Sequence, residues 1–288
     1  MSHDLYHSSD IAGSGDPQRL IVLLYHRIHQ DDGTKDTVGI RIFDITFRKQ
    51  MEMLDRWGYV TVTFDDYRLF LEGKINLPKR SVIITFDDAY EDLYTYAFPI
   101  LKDLGMKAVV FVVGDPTINT NIWDEEYGDN FKLLSVQQIL ELHMAGFEIG
   151  SHTLTHPNLT SMPKEKAWEE IVRSRMQLEI LLNSPVKSFS YPYGIVDEAI
   201  KLMTAKAGYT IGCAAYSGPP LFGMDHLEIR RIKVLNTTNR LLFRMQLHPI
   251  YSFYRWIVWV IKKTLRKPKI NQLNDAASSI SRKISDGH

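Results

Sequence analysis

Apolar runs and amphipathic stretches follow one another along the chain in a regular order. Short β-branched apolar runs predict strands buried on both faces, as in a parallel sheet. The segments between them carry apolar residues three or four positions apart, which predicts helices with one buried face. Because parallel strands need crossover connections, this order predicts a single-domain α/β protein, a (β/α) barrel of seven or eight strands. The predicted strands are 20–26, 59–64, 81–86, 107–113, 147–152, a run beginning at 188, 209–215 and 228–234.

Polar caps, glycines and prolines set the predicted helix boundaries. Gly58 and Gly73 follow two amphipathic runs and predict helix ends. Pro99 is expected to start or kink a helix within 92–104, and Ser135 is expected to cap the next one. The predicted helices are 47–57, 65–73, 92–104, 135–146, 164–182 and 196–208.

Three regions of different composition divide the chain. Residues 1–19 are polar and predict a flexible lead-in, residues 20–245 hold the predicted barrel, and residues 246–288 form a basic aromatic segment with a loose tail. The stretch 246–269 contains six lysines and arginines and no acid, although the formal net charge of the chain is zero. Two interpretations stay open. Residues 251–269 form a helix on an anionic membrane surface, or the segment packs on the barrel or in a dimer contact.

Composition also limits compartment and partners. Cys213 is the only cysteine, so no internal disulfide is expected. The first residues lack the basic start and apolar stretch of a signal peptide, which predicts a cytoplasmic protein, peripheral at the inner membrane face. Zero net charge gives no support for nucleic acid as a partner.

Asp87 and Asp88 are the first candidates for chemistry, because they follow a buried strand directly. Side chains alternate along a strand, so the two carboxylates should point in different directions and take different roles. Side by side they repel each other unless a cation is bound. The structural alternative is an acidic helix cap.

Two further strand ends carry candidate residues. His152 and His156 lie four positions apart after a predicted strand, and with Asp88 they would form a two-histidine, one-carboxylate set suited to zinc or cobalt. In SYPYG, residues 190–194, Pro192 and Gly194 predict a turn that could aim the backbone N–H of Tyr193 at an oxyanion.

Together, TFDDA (85–89), SHTLTHP (151–157) and SYPYG resemble the motifs of the polysaccharide deacetylases, carbohydrate esterase family 4, also called the NodB-like domain. The resemblance covers about residues 20–235. It implies a distorted barrel and metal-dependent removal of acetyl groups, mostly N-acetyl groups of sugars. By the same resemblance Asp87 is the general base, and Asp88, His152 and His156 bind the metal, most often zinc, with cobalt or nickel as alternatives.

The chain departs from the family pattern at two positions. Ala89 stands where the first motif usually has glycine, and Ser190 stands where many members have an arginine that steadies the base. Asp87 must therefore be oriented by another residue, and Arg231 is the candidate. Tyr25, Pro192 and Arg231 are also predicted to contact substrate.

The general acid has two candidates, His26 in LLYHRI and His248 in MQLHP. In a subgroup that resembles the biofilm poly-N-acetylglucosamine deacetylases, a Tyr-His pair follows the first strand. We favour His26 because it ends a predicted barrel strand.

These residues predict hydrolysis of an N-acetylated glycan, either a polymer or a lipid-linked sugar. Metal and the Tyr193 N–H would stabilise the oxyanion, while Asp87 acts as base and His26 as acid. An O-acetyl esterase and a catalytically silent carbohydrate-binding barrel are the alternatives.

Overall fold

A parallel β-sheet of nine strands lies at the centre of the protein, in a computed structural model that describes residues 20–33, 39–127, 130–215 and 223–265. Two further short strands, β2 and β3, pair with each other in parallel and form a separate ribbon. The strands are β1 (Ile21–Tyr25), β2 (Arg27–His29), β3 (Arg41–Phe43), β4 (Val60–Thr61), β5 (Ser81–Phe86), β6 (Val109–Val112), β7 (Glu148–Ser151), β8 (Ser188–Ser190), β9 (Ile211–Ala214), β10 (Ile229–Arg230) and β11 (Ile232–Lys233).

The sheet curls into a nearly closed barrel. Its strand order is β10-β9-β8-β7-β6-β5-β1-β11, and β4 lies beside the first residues of β5. Only Arg231 separates β10 from β11. Ile229 pairs with Cys213 of β9, whereas Ile232 pairs with Leu23 of β1. One short stretch of chain therefore joins both ends of the sheet, which confirms the predicted single-domain α/β barrel.

Helices connect the strands and cover the barrel from outside. They are α1 (Asp44–Arg56), α2 (Phe64–Leu71), α3 (Phe98–Asp103), α4 (Val136–Met144), α5 (Lys164–Leu182), α6 (Glu198–Lys206), α7 (Arg240–Gln246) and α8 (Pro249–Leu265). A π-helical turn, Leu93–Ala97, precedes α3, and Pro99 lies in the first turn of α3 as expected. None of the described helices is long and apolar enough to cross a bilayer.

Two capping boxes fix helix starts. Ser135 accepts a hydrogen bond from the backbone N–H of Gln138 and caps α4, as the sequence predicts. Thr63 and Asp66 form the same reciprocal pair at the start of α2. This cap shortens the strand predicted over 59–64 to two residues, because the chain already turns into a helix after Thr63.

An aromatic cluster anchors α1 against the barrel. Phe47 of α1 lies 5.2 Å from the ring of Tyr25 and 5.8 Å from that of Phe86, measured between centroids. The Tyr25 hydroxyl donates to Gln50 Oε1 at 3.1 Å. Tyr25 therefore points outward to α1, and its neighbour Leu24 points into the barrel.

The ends of the chain are only partly described. The predicted lead-in, 1–19, and the predicted tail after residue 265 lie outside the described residues, as do residues 266–269 of the basic stretch. The described part of that stretch is helical, in α8.

Candidate active site

The candidate residues meet at the carboxyl end of the barrel. Asp87 follows β5, His152 follows β7 and Ser190 ends β8. Since these strands are parallel and near neighbours in the sheet, their ends share one rim. A cavity of about 240 Å³ opens there, and its walls include His26, Asp87, Asp88, Trp123, Asp124, His152, His156, Tyr193, Gly194, Arg231 and Lys233.

Asp88, His152 and His156 form a compact buried group. The Oδ1 atom of Asp88 lies 3.3 Å from Nε2 of His152 and 3.1 Å from Nε2 of His156. One ligand atom from each residue lies within 4.8 Å of the others, a spacing that suits one metal ion. The residues could therefore hold a divalent cation.

The second nitrogen of His152 supports this interpretation. Its Nδ1 lies 2.8 Å from the carbonyl oxygen of Ser190, an acceptor, so the Nδ1–H donates there. In the neutral ring Nε2 then has a lone pair that faces the carboxylate of Asp88, and a cation between the two acceptors satisfies both. Burial lowers the pKa of His152, but the charges of Asp87 and Asp88 more than compensate, and its pKa lies above the ordinary value.

The backbone of the site loops is strained. Asp88, Ala89, Thr153, His156 and Tyr193 have φ between +57° and +68°, in the left-handed region that non-glycine residues rarely occupy. Such residues concentrate at functional sites, where the surrounding structure holds them at a cost of about 1–3 kcal/mol each. The value at Ala89 gives a physical reason why glycine suits this motif position.

Arg231 orients Asp87. Its two terminal nitrogens donate to Oδ1 and Oδ2 of the carboxylate, both at 2.6 Å. Ser190 Oγ donates to Oδ2 at 3.1 Å and accepts from Arg231 at 2.9 Å. Burial raises the pKa of Asp87, yet Arg231, His152 and His26 together outweigh burial and hold the pKa below its ordinary value. Ser190 thus donates a hydrogen bond to the Asp87 carboxylate. The positive charge comes from Arg231, which lies at the seam between β10 and β11.

His26 lines the cavity and His248 does not. His26 directly follows β1, and burial lowers its pKa although Asp87 and Asp88 act in the opposite direction. The exposed His248 lies between α7 and α8. The carbonyl oxygen of its neighbour Leu247 accepts a hydrogen bond from the Tyr59 hydroxyl. Tyr59 directly precedes Val60, which pairs with Ser81 at the start of β5. His248 is therefore at the opposite end of the barrel.

The SYPYG turn brings Tyr193 to the cavity. Pro192–Gly194 forms a 3-10 turn, and the Tyr193 ring lies 4.9 Å from that of His156. A Cβ on Gly194 would lie 2.2 Å from the Cβ of Ala215, so only glycine fits there. The buried Pro192 fixes the turn without lining the cavity.

Two of the predicted substrate contacts are bound to other side chains of the protein, and their contact with substrate stays a prediction. Tyr25 is buried and donates to α1 on the outer side of the barrel, because its position in the strand alternates with that of Leu24. Arg231 is 1% exposed, forms an ion pair with Asp87 and also lines the cavity.

Sequence reasoning missed Trp123 and Asp124. The Trp123 ring stacks on His156 at 4.3 Å with an interplanar angle of 23°. The Asp124 carboxylate accepts hydrogen bonds at its Oδ2 from Tyr90 and Asn121, each at 3.2 Å. Both residues lie on a connection longer than most loops, and such length usually marks a functional segment, which was the available signal.

Comparison with known proteins agrees with the fold. The family model "Polysaccharide deacetylase" matches residues 74–212. YxkH of Bacillus subtilis is 28% identical over 218 residues, which cover 76% of this chain and 72% of YxkH. The poly-beta-1,6-N-acetyl-D-glucosamine N-deacetylase of Staphylococcus epidermidis is 28% identical over 244 residues, covering 78% and 82%. The crystal structure of the Bacillus cereus polysaccharide deacetylase BC0361 superposes with a TM-score of 0.66 at 26% identity, covering 79% and 68%.

The protein is a nearly closed parallel barrel with an Asp-His-His group at its carboxyl rim. The chain belongs to the polysaccharide deacetylase family, carbohydrate esterase family 4, as its motifs predict. This is a family of carbohydrate N-deacetylases, and its relatives include poly-N-acetylglucosamine deacetylases.

Proposed function

We propose that the protein is a metal-dependent hydrolase that removes N-acetyl groups from an amino-sugar glycan. The observation that carries this proposal is the close approach of Asp88, His152 and His156 beside an ion-paired Asp87. A site of this kind needs no further protein ligand to bind a catalytic metal and leaves positions for water and substrate. Two staphylococcal relatives are poly-beta-1,6-N-acetyl-D-glucosamine N-deacetylases, which supports N-acetylglucosamine polymers as the substrate class.

Asp87, Tyr193 and His26 have proposed roles beside the metal ligands. A divalent cation, most often zinc with cobalt or nickel as alternatives, would polarise the acetyl carbonyl and water. Asp87, kept ionised by Arg231, takes a proton from the attacking water. The Tyr193 N–H donates to the oxyanion, and His26 delivers a proton to the amine nitrogen as the C–N bond breaks. Acetate and a free amino sugar are the products.

Variants of the two neighbouring aspartates test this proposal. Asp88→Ala and His152→Ala should lose both bound metal and activity, because they remove ligands. Asp87→Asn should keep the metal and lose about 100-fold or more of its acetate release, the usual size of a general-base contribution. Metal analysis of the purified protein and acetate release from N-acetylated glycans measure the two properties. His26→Ala removes the proposed acid and should also lower acetate release. His248→Ala, at the far end of the barrel, is its matched control and should leave acetate release unchanged.

Three outcomes would contradict the proposal. Full activity of Asp87→Asn would remove the assigned base. Acetate release from O-acetylated glycans alone would identify an esterase. A wild-type protein without divalent metal and without acetate release would be a silent carbohydrate-binding barrel. Mass spectrometry for the loss of one acetyl group across glycans and glycolipids identifies the substrate.

We also propose that α8 rests on an anionic membrane surface. Ile250, Phe253, Tyr254, Ile257 and Ile261 are between 37% and 68% exposed, and their spacing places them on one face of the helix.

The composition and packing of this segment favour contact with a lipid surface. Tyr251 of α8 packs against the barrel core, which leaves the apolar stripe facing away from the barrel. The stretch 246–269 carries six basic residues and no acid, a composition suited to anionic headgroups. In this proposal the protein lies at the inner face of the cytoplasmic membrane and acts on a lipid-linked or nascent glycan. Sedimentation with vesicles tests the contact, and cell fractionation tests the location.

A further inference from the structure

We propose that Asp124 positions the substrate by accepting a hydrogen bond from a hydroxyl of the sugar that carries the acetyl group. This inference rests on the proposed function and adds a residue to it. Neither the sequence motifs nor the assigned base, acid and metal ligands include Asp124.

One oxygen of Asp124 is committed to the protein and the other is available. Oδ2 accepts from the Tyr90 hydroxyl and the Asn121 amide, each at 3.2 Å. Oδ1 receives no donor within the described part of the chain, and no described lysine or arginine forms an ion pair with this carboxylate. The residue is only 8% exposed and lies in the cavity wall. A carboxylate so nearly buried normally has its oxygens satisfied, so Oδ1 is an acceptor that a ligand can complete.

The loop that carries Asp124 is held rigidly. The Asn121 N–H donates to the Phe131 carbonyl at 3.1 Å, and the Phe131 N–H donates back to Asn121 Oδ1 at 2.5 Å. The guanidinium of Arg27, one residue after His26, lies 3.3 Å from the centroid of the Phe131 ring. These contacts hold the base of the loop against β2, the strand that begins one residue after the candidate acid His26.

Trp123 fixes the tip of the same loop. Its ring stacks on His156, which places the next residue, Asp124, beside the metal-ligand group. A side chain held at both the base and the tip of its loop loses little entropy when substrate binds, which is the condition for precise positioning.

The chemistry of the substrate indicates which group donates a hydrogen bond to Asp124. In the proposed reaction the acetyl group lies between Asp87 and Asp88, so the sugar ring attached to it must lie within the same small cavity. Its hydroxyls are the neutral donors nearest to the amide. A hydrogen bond to a charged acceptor is stronger than one between neutral groups.

A comparison of two substrates tests the role. On the N-acetylated glycan, Asp124→Ala and Asp124→Asn should lower kcat/KM about 10- to 100-fold, mainly through KM, as expected for the loss of a charged acceptor. On 4-nitrophenyl acetate, which has an acetyl group but no sugar hydroxyl, the same variants should match the wild type. Bound metal should be unchanged.

The control is Asp115→Asn, an aspartate on the same connection whose carboxylate accepts from Thr117 and lies outside the catalytic cavity. It should leave both reactions unchanged. Equal losses on the glycan and on the aryl ester would overturn the inference, because Asp124 would then act on the metal or the chemistry. Unchanged kinetics on the glycan would also overturn it. Circular dichroism of the near-isosteric Asp124→Asn excludes misfolding as the cause. If the wild type releases acetate from no glycan, the proposed function fails first, and this inference fails with it.

Discussion

At the scale of single residues, Asp87 shows how a missing motif residue is replaced. Ser190 occupies the place of an arginine, and the guanidinium comes from Arg231 instead. The sequence predicts the acids and histidines well because each follows a strand of the same parallel sheet. The sequence gives little support for Arg231 as the partner of Asp87, because the two residues lie 144 positions apart. Asp124 could not be predicted, because nothing in a loop sequence indicates which side chain turns inward.

Arg231 should affect both stability and activity. Arg231→Gln leaves the buried Asp87 carboxylate without its counter-ion and should destabilise the protein by about 3–5 kcal/mol. Arg231→Lys keeps a charge and should destabilise less, but activity should still fall, because one ammonium cannot hold both carboxylate oxygens as the planar guanidinium does. Urea unfolding and acetate release measure the two effects. Arg230→Gln, the preceding residue, is the control. Equal stability of Arg231→Gln and wild type would contradict the ion pair's importance.

At the scale of elements, helices were easier to predict than short strands. The 19 residues of α5 have the predicted bounds, since a long amphipathic period is a strong signal. The ribbon of β2 and β3 was not expected, because strands of three residues carry too little periodicity. No strand or helix was predicted in the long connection before α4. Its described residues are held by tertiary contacts such as the one between Arg27 and Phe131.

The exposed stripe of α8 gives a prediction for this element. Wild-type protein should sediment with vesicles of phosphatidylglycerol and phosphatidylcholine, and added salt should weaken the binding because the attraction to the headgroups is screened. The double variant Ile257→Glu and Ile261→Glu should stay in the supernatant, since it places charges on the apolar face. Ile180→Glu, at a still more exposed isoleucine of α5, is the control. Wild-type protein that ignores anionic vesicles, or that instead forms a dimer sensitive to the double variant, would contradict the membrane proposal.

At the scale of the whole molecule, the two ends of the barrel have different tasks. The carboxyl end carries the cavity, as expected for parallel strands. The amino end carries Glu148, a buried carboxylate at the start of β7 that accepts the backbone N–H of Asp65 in α2 at 2.9 Å. Burial, and next the charge of Asp65, raise the pKa of Glu148 to about 7. Barrel architecture could be predicted from strand order alone, but its closure could not, because the closing segment is two dipeptide strands interrupted by an arginine.

Glu148 should make stability depend on pH. Its pKa is higher in the folded than in the unfolded chain, so the folded protein binds the proton more tightly. The contribution of this proton to the free energy of unfolding is fully present below pH 4, and it is lost as the pH rises through about 7. One pKa unit corresponds to about 1.4 kcal/mol, so the loss is on the order of 3 kcal/mol. Glu148→Gln should remove most of this dependence in urea unfolding between pH 5 and pH 9, whereas the exposed Glu165→Gln should not. Identical pH dependence in Glu148→Gln and wild type would exclude the assignment.

The seam at Arg231 also orders events during folding. The residue that neutralises Asp87 belongs to the segment that closes the sheet, and this segment follows every other barrel strand in the chain. Until it docks between β9 and β1, a carboxylate at the end of β5 has no buried counter-ion. A nascent or truncated chain that lacks this segment therefore has neither a complete barrel nor an oriented base. The proposed hydrolytic site is therefore complete only after the final strand has been synthesised and has docked.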